Sequence, residues 1–260
     1  MGAQSLAAAG PAATGPGHFD RADCPVQPVR SVRSAGPPGI DDVHAWLAPL
    51  GMPAERSFRL LDRTERERAQ SYIRPADGVR FAAGRACLRL VLGGYLGEDP
   101  ASLRFLTEPG GRPALANEQG RRSPLGFSLA HASDIALIVV GTGPAGADIE
   151  VITRRPGLAD LAAARFTAHE VACIAGGCGG SPLHGFYRHW TAREAYLKAT
   201  SAGLAGLRHT ELTGCRHGPA IWCRGSQAAD LVLSFLDVSP RHCAAVVASR
   251  PVTSCRRLAG

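Results

Sequence analysis

The segment Trp190-Thr-Ala-Arg-Glu-Ala-Tyr-Leu-Lys198 spaces an aromatic plate, a carboxylate and an ammonium at i, i+4 and i+8. Ala, Glu, Leu and Lys are good helix formers, so the three side chains are predicted to share one stripe of a helix. Alone, the pattern describes equally well a core tryptophan beside an exposed Glu–Lys pair, worth roughly 0.3–0.5 kcal/mol. A second stretch, Gly146-Ala-Asp-Ile-Glu150, changes the balance. Strand alternation predicts Asp148 and Glu150 on one face, with Ile149 turned into the core. Two carboxylates on a strand and one on a helix form an oxygen-rich ligand set for a divalent ion.

The chain has 260 residues, enough for one large domain or two small ones, and 45% hydrophobic residues can support a core. A net charge of +7 favours an anionic partner. Nucleic acid is the weaker choice, because only three Trp and four Tyr are present and no stretch interleaves aromatics with Lys/Arg. A metal-dependent nuclease or phosphoesterase is also disfavoured. Ile152 stands where such a site would carry a lysine two residues after Glu150, and Glu194 and Lys198 are four apart. The eight cysteines form no CxxC, and Cys215, His217, Cys223, His242 and Cys243 match no compact zinc finger. Free thiols in a reducing cytoplasm are expected. The N-terminus shows no secretory pattern, and no apolar run approaches the ~20 residues of a membrane span, so a soluble protein without a membrane partner is expected.

Residues 1–38, rich in Ala, Gly, Pro and Ser, read as a disordered tail. A strand is predicted at Val43 to Leu47 and a charged helix from Leu61 to Ala69, N-capped by Asp62. A longer helix should run from Asp77 to Leu96, with Phe81, Leu88, Val91, Leu92 and Tyr95 at core spacing. Strands are expected at Leu103 to Leu106 and Leu125 to Leu129. Ile135 to Val140 and Ala147 to Ile152 look like a hairpin around Gly-Thr-Gly-Pro. Thr167-Ala-His-Glu170 is a capping box opening a helix. Thr210 to Leu212, Ala220 to Cys223, Leu231 to Asp237 and Cys243 to Ala248 read as strands. The pattern is α+β.

Several motifs, in this order and spacing, resemble those of the Sfp-type 4′-phosphopantetheinyl transferases over about residues 40–250. They are Glu67-Arg68, then Asp77-Gly-Val-Arg80-Phe-Ala-Ala-Gly-Arg85-Ala-Cys-Leu-Arg89, Gly111-Arg112-Pro113, Phe127-Ser128-Leu-Ala-His131, Gly-Ala-Asp148-Ile-Glu150 and the segment Trp190 to Lys198. The resemblance implies two pseudo-symmetric α/β halves, 39–143 and 144–250, each a small mostly antiparallel sheet with helices, and a terminal tail at 251–260. Coenzyme A would lie in the cleft between them. The implied reaction is Mg²⁺-dependent transfer of phosphopantetheine to a serine of an apo acyl or peptidyl carrier protein, releasing 3′,5′-ADP, by a cytoplasmic monomer of the holo-[acyl-carrier-protein] synthase type. Carriers of secondary-metabolite synthases are the implied clients.

By the same resemblance, Asp148, Glu150 and Glu194 hold the metal, with Asp148 also near CoA. Lys198 meets the α-phosphate, and Glu194 is placed to steer the serine proton. Arg68, Arg112, Ser128 and His131 are the implied CoA contacts, with Arg80 and Arg85 weaker ones, one expected to line the cleft and the other to face solvent. Ala130 stands where the family often has Ser, and Arg112 replaces its frequent Lys, keeping the cation with a fork geometry. Trp190 is expected to pack, and Arg193 to face solvent.

Overall fold

The computed structural model describes residues 26–28, 42–108, 111–177, 180–203, 210–213, 220–223, 226–227 and 231–258. Two four-stranded sheets form its centre. The first combines β2 (Val43–Pro49), β5 (Leu125–Ala132), β6 (Ile135–Thr142) and β13 (Ser254–Arg257), in the order β13-β2-β6-β5. The second combines β1 (Val26–Pro28), β7 (Ala145–Val151), β11 (Val232–Asp237) and β12 (His242–Ala248), in the order β1-β11-β12-β7.

Each half follows one plan. Its first strand (β2 or β7) is followed by three helices, then by two strands that return with the last one central. In the first half the helices are α1 (Ala54–Leu60), α2 (Arg63–Gln70) and α3 (Pro75–Leu96). In the second they are α4 (Leu158–Arg165), α5 (Ala168–Ala175) and α6 (Pro182–Thr200). Short strands β3 (Phe105–Thr107) and β4 (Pro113–Leu115) pair beside the first sheet, and β8 (Thr210–Thr213), β9 (Ala220–Cys223) and β10 (Ser226–Gln227) form a small third sheet.

The sheets face each other through alternate residues. Val43, Ala45, Leu47, Leu137 and Val139 of the first meet Ala145, Ala147, Ile149, Ala244 and Val246 of the second in one buried cluster. Their outer faces are covered by α3 and α6 respectively. Burial on both faces of β6 and β12 explains their unbroken runs of small and branched apolar residues.

The paired segments 135–140 and 147–152 are not a hairpin. Both edges of β6 are already taken, by β2 and β5, so the chain crosses to the other sheet at Gly143, whose φ is +101°. The hairpin is β5–β6. The segment assigned as a C-terminal tail contains β13, which runs parallel to β2 in the first half's sheet. Its anchors are Cys255, buried between the sheets, and Arg256, whose guanidinium lies over the Trp46 ring at 5.3 Å. Most of residues 1–38 lie outside the described residues, but Val26–Pro28 pairs in parallel with β11 of the second half. The described residues near each chain end thus extend the sheet of the opposite half. Among the described residues no helix is long and apolar enough to cross a membrane.

Candidate active site

The site is made where α6 lies on β7. A Cβ built at Gly146 would stand 1.9 Å from the Ala195 carbonyl oxygen, so only glycine permits this approach. The close packing sets Lys198 Nζ 2.6 Å from Asp148 Oδ1. Asp148 is buried, and its Oδ2 has no hydrogen-bond partner. Burial raises its pKa to about 6; Lys198 opposes that rise, while Glu150 and Glu194 add to it. Glu150 is raised too, first by burial, with Arg155 and Lys198 opposing and Glu194 reinforcing, and it accepts a hydrogen bond from the Trp190 side chain. The three carboxylates therefore feel one another. Among the described residues, however, no group of three His, Cys, Asp or Glu side chains is arranged to hold a metal ion.

Beside this cluster is a cavity of about 520 Å³ between the halves. The first half lines it with Arg80, Phe81, Arg85, Phe127, Ser128 and His131, and α6 with Glu194, Leu197 and Lys198. Ser128 ties the halves together: its Oγ accepts from Ala147 N at 3.0 Å. Burial, then the Lys198 and Arg80 cations, hold the His131 imidazole below its ordinary pKa, with Asp77 opposing. Its neutral ring therefore sits in a positive field. Arg80 pairs with Asp77 at 2.8 Å on the exposed rim. Glu150 opens instead on a hollow of about 160 Å³, shared with Arg155, Phe186 and Trp190.

Arg68 is not brought to the cavity lining; it is exposed, over the Tyr72 ring at 5.5 Å. Arg112 lines the cavity, but its side chain donates to backbone carbonyls: Lys198 O at 2.6 Å, Ala145 O at 2.7 Å and Phe127 O at 3.0 Å. Trp190 packs as expected, stacked on Phe186 with centroids 6.0 Å apart. Arg193 does not face solvent. It is 2% exposed and donates to Glu170 Oε2 at 3.0 Å and to Arg165 O at 2.8 Å, because the carboxylate of the α5 capping box points inward beneath α6. Arg85 is likewise buried, on Glu65 Oε1 at 2.5 Å. Glu65 closes a second capping box, Asp62-x-x-Glu65, whose pattern was visible in the sequence. Of the Cys and His residues rejected above as a zinc cluster, Cys215 and His217 lie outside the described residues.

A family model described as the 4′-phosphopantetheinyl transferase superfamily matches residues 144–246. The chain is 36% identical over 176 residues to the 4′-phosphopantetheinyl transferase HetI of Nostoc sp. (strain PCC 7120), which covers 66% of this chain and 74% of that one. It is 28% identical over 247 residues to a phosphopantetheinyl transferase of Thraustochytrium sp., covering 84% and 85%. A shorter match, 40% over 120 residues, is to the 4′-phosphopantetheinyl transferase AcpT of Escherichia coli (strain K12), covering 46% and 56%.

Proposed function

Because the chain belongs to the 4′-phosphopantetheinyl transferase superfamily, we propose that it moves the phosphopantetheine arm of coenzyme A onto a serine of an apo carrier protein. The observation that carries this reading is buried Asp148 paired with the partly exposed Lys198, with Glu150 and Glu194 in electrostatic reach, beside a 520 Å³ cavity rimmed by cations. That volume falls in the range of small-molecule sites, roughly 300–1,000 Å³.

By chemistry the three donors suit a hard cation, being all carboxylate oxygen and including a buried Asp148 Oδ2 without a partner, and they would have to draw closer together to hold one. Asp148, Glu150 and Glu194 would hold Mg²⁺, which when bound supplies charge neutralisation on the pyrophosphate. Lys198 meets the α-phosphate and offsets charge as 3′,5′-ADP departs. Glu194 lines the cavity and would receive the serine proton, directly or through water. His131 and Ser128 border the phosphates, and Arg80 rather than the remote Arg68 is the arginine proposed for them. The halves 39–143 and 144–250 each contribute one wall. The enzyme is of the holo-[acyl-carrier-protein] synthase type and acts on carriers of secondary-metabolite synthases, as a monomer in the cytoplasm. The free thiols Cys87, Cys243 and Cys255 suit that reducing setting.

Incubation with CoA, Mg²⁺ and apo carrier proteins, read by intact mass, should show addition of one phosphopantetheine. A folded protein that modifies none of several carriers overturns the reading. Asp148→Ala and Glu194→Gln should each lose about 10²–10³-fold in turnover while remaining folded; near-normal rates would remove those carboxylates from the chemistry.

A further inference from the structure

We propose that Arg112 is a positioning residue, which holds the catalytic end of α6 against both halves and makes no phosphate contact. This rests on the transferase reading above. The guanidinium fork is consumed by backbone. Nη1 donates to Lys198 O at 2.6 Å, with Ala199 O and Ser201 Oγ at 3.5 and 3.4 Å, and Nη2 donates to Phe127 O at 3.0 Å and Ala145 O at 2.7 Å.

Those carbonyls belong to the three elements that carry the site. Phe127 precedes Ser128 on β5, Ala145 begins the strand of Asp148 and Glu150, and Lys198 and Ala199 are the last turn of α6. Helix ends leave their final carbonyls without intrahelical partners, and a cation there is favoured by the helix dipole. The chain supplies one through the constrained turn Gly111-Arg-Pro113, where Gly111 has φ +82°. A lysine has the charge and three donors but only one nitrogen, whereas here Nη1 serves Lys198 O and Nη2 serves Phe127 O and Ala145 O, a split that needs the rigid two-nitrogen fork. Arg112 therefore fixes where the Lys198 backbone stands relative to β7, and through it the ammonium on Asp148.

The test compares Arg112→Lys and Arg112→Ala with the unaltered protein, measuring CoA affinity and stoichiometry by calorimetry, and kcat and KM for CoA by carrier modification. Expected are a CoA Kd and KM within about twofold of the unaltered protein, a stoichiometry near one, and kcat lowered at least tenfold in both variants. Methylguanidinium should restore kcat in Arg112→Ala, and methylammonium should not. A lowered binding stoichiometry with unchanged turnover per bound CoA would reveal misfolding alone and overturn the proposal. So would wild-type kcat in Arg112→Lys, or a tenfold weaker Kd for CoA, the mark of a phosphate contact. Failure of the unaltered protein to modify any carrier would instead strike the transferase reading. The calorimetric comparison would still be decisive for a phosphate contact at Arg112.

Discussion

The two halves share a frame and differ in what they place on it. In both, a capping-box glutamate at the third position of the middle helix is buried and takes an arginine from the long helix: Glu65 from Arg85 and Arg89, Glu170 from Arg193. In both, that helix covers the face of the half's first strand. There the likeness ends. The covered face of β2 carries His44 and Trp46, both within hydrogen-bond distance of the Tyr95 hydroxyl on α3, at 2.8 and 2.7 Å. The corresponding face of β7 carries Asp148 and Glu150 under Glu194 and Lys198, and leaves Asp148 Oδ2 without a partner. One residue after Arg85 stands Ala86, where Glu194 follows Arg193; five after Arg85 stands Leu90, where Lys198 follows Arg193. A satisfied network is a structural solution, whereas an unsatisfied buried carboxylate among like charges is tolerated for what it can bind.

The shared frame is tested by Glu170→Gln and Glu65→Gln. Removing one partner of a buried pair leaves an uncompensated charge and costs about 3–5 kcal/mol. Glu170→Gln should reach that range, because Arg193 is 2% exposed and Glu170 also accepts from Leu212 N at 2.9 Å. Glu65→Gln should cost at least as much, because buried Arg85 loses the carboxylate it rests on and only Arg89 keeps another, Asp62 at 2.8 Å. Urea midpoints for the two variants check both magnitude and order. A cost below about 1 kcal/mol for Glu170→Gln would break the equivalence.

Much of this frame was legible in the sequence. Apolar periodicity marked α3, and the Thr167 capping box marked α5, because both signals are local. Asp148, Glu150 and Ile149 fell on the faces that alternation assigns them, for the same reason. What was not legible depends on distant partners. The inward turn of Arg193 requires knowing that Glu170 lies beneath α6, and the Cys255-Arg256-Arg257 strand reads as a polar tail until β2 offers it an edge. The β6–β7 hairpin failed because pairing on both edges of β6 is a property of the sheet. Arg112 had the composition of an anion ligand, and only the carbonyls of three separate elements reveal where its donors are directed.

The contrast in satisfaction can be sharpened by pH. A carboxyl whose folded pKa, here about 6, exceeds its ordinary 3.8 holds its proton more tightly when folded. Ionised Asp148 therefore lowers stability above about pH 6, and that cost fades as pH falls toward 4. Between pH 7 and 4.5, with EDTA present, the unaltered protein should gain stability relative to Asp148→Asn by on the order of 2 kcal/mol. Parallel pH dependence in the two proteins would place Asp148 in an ordinary environment and erase the difference between the strand faces.

The smallest effect is expected at Tyr95, the centre of the satisfied network. Tyr95→Phe keeps the ring among Ala83, Leu88, Val91 and their neighbours but removes the oxygen that accepts from Trp46 Nε1. A donor left short of a partner in partly buried surroundings costs about 1 kcal/mol. The loss should appear as a small drop in Tm, with transfer rate and KM for CoA unchanged, because the β2 face touches neither the cavity nor the carboxylates. A rate change beyond about threefold in a variant this stable would mean that the first half supplies more than a wall, and that a satisfied face had been mistaken for an inert one.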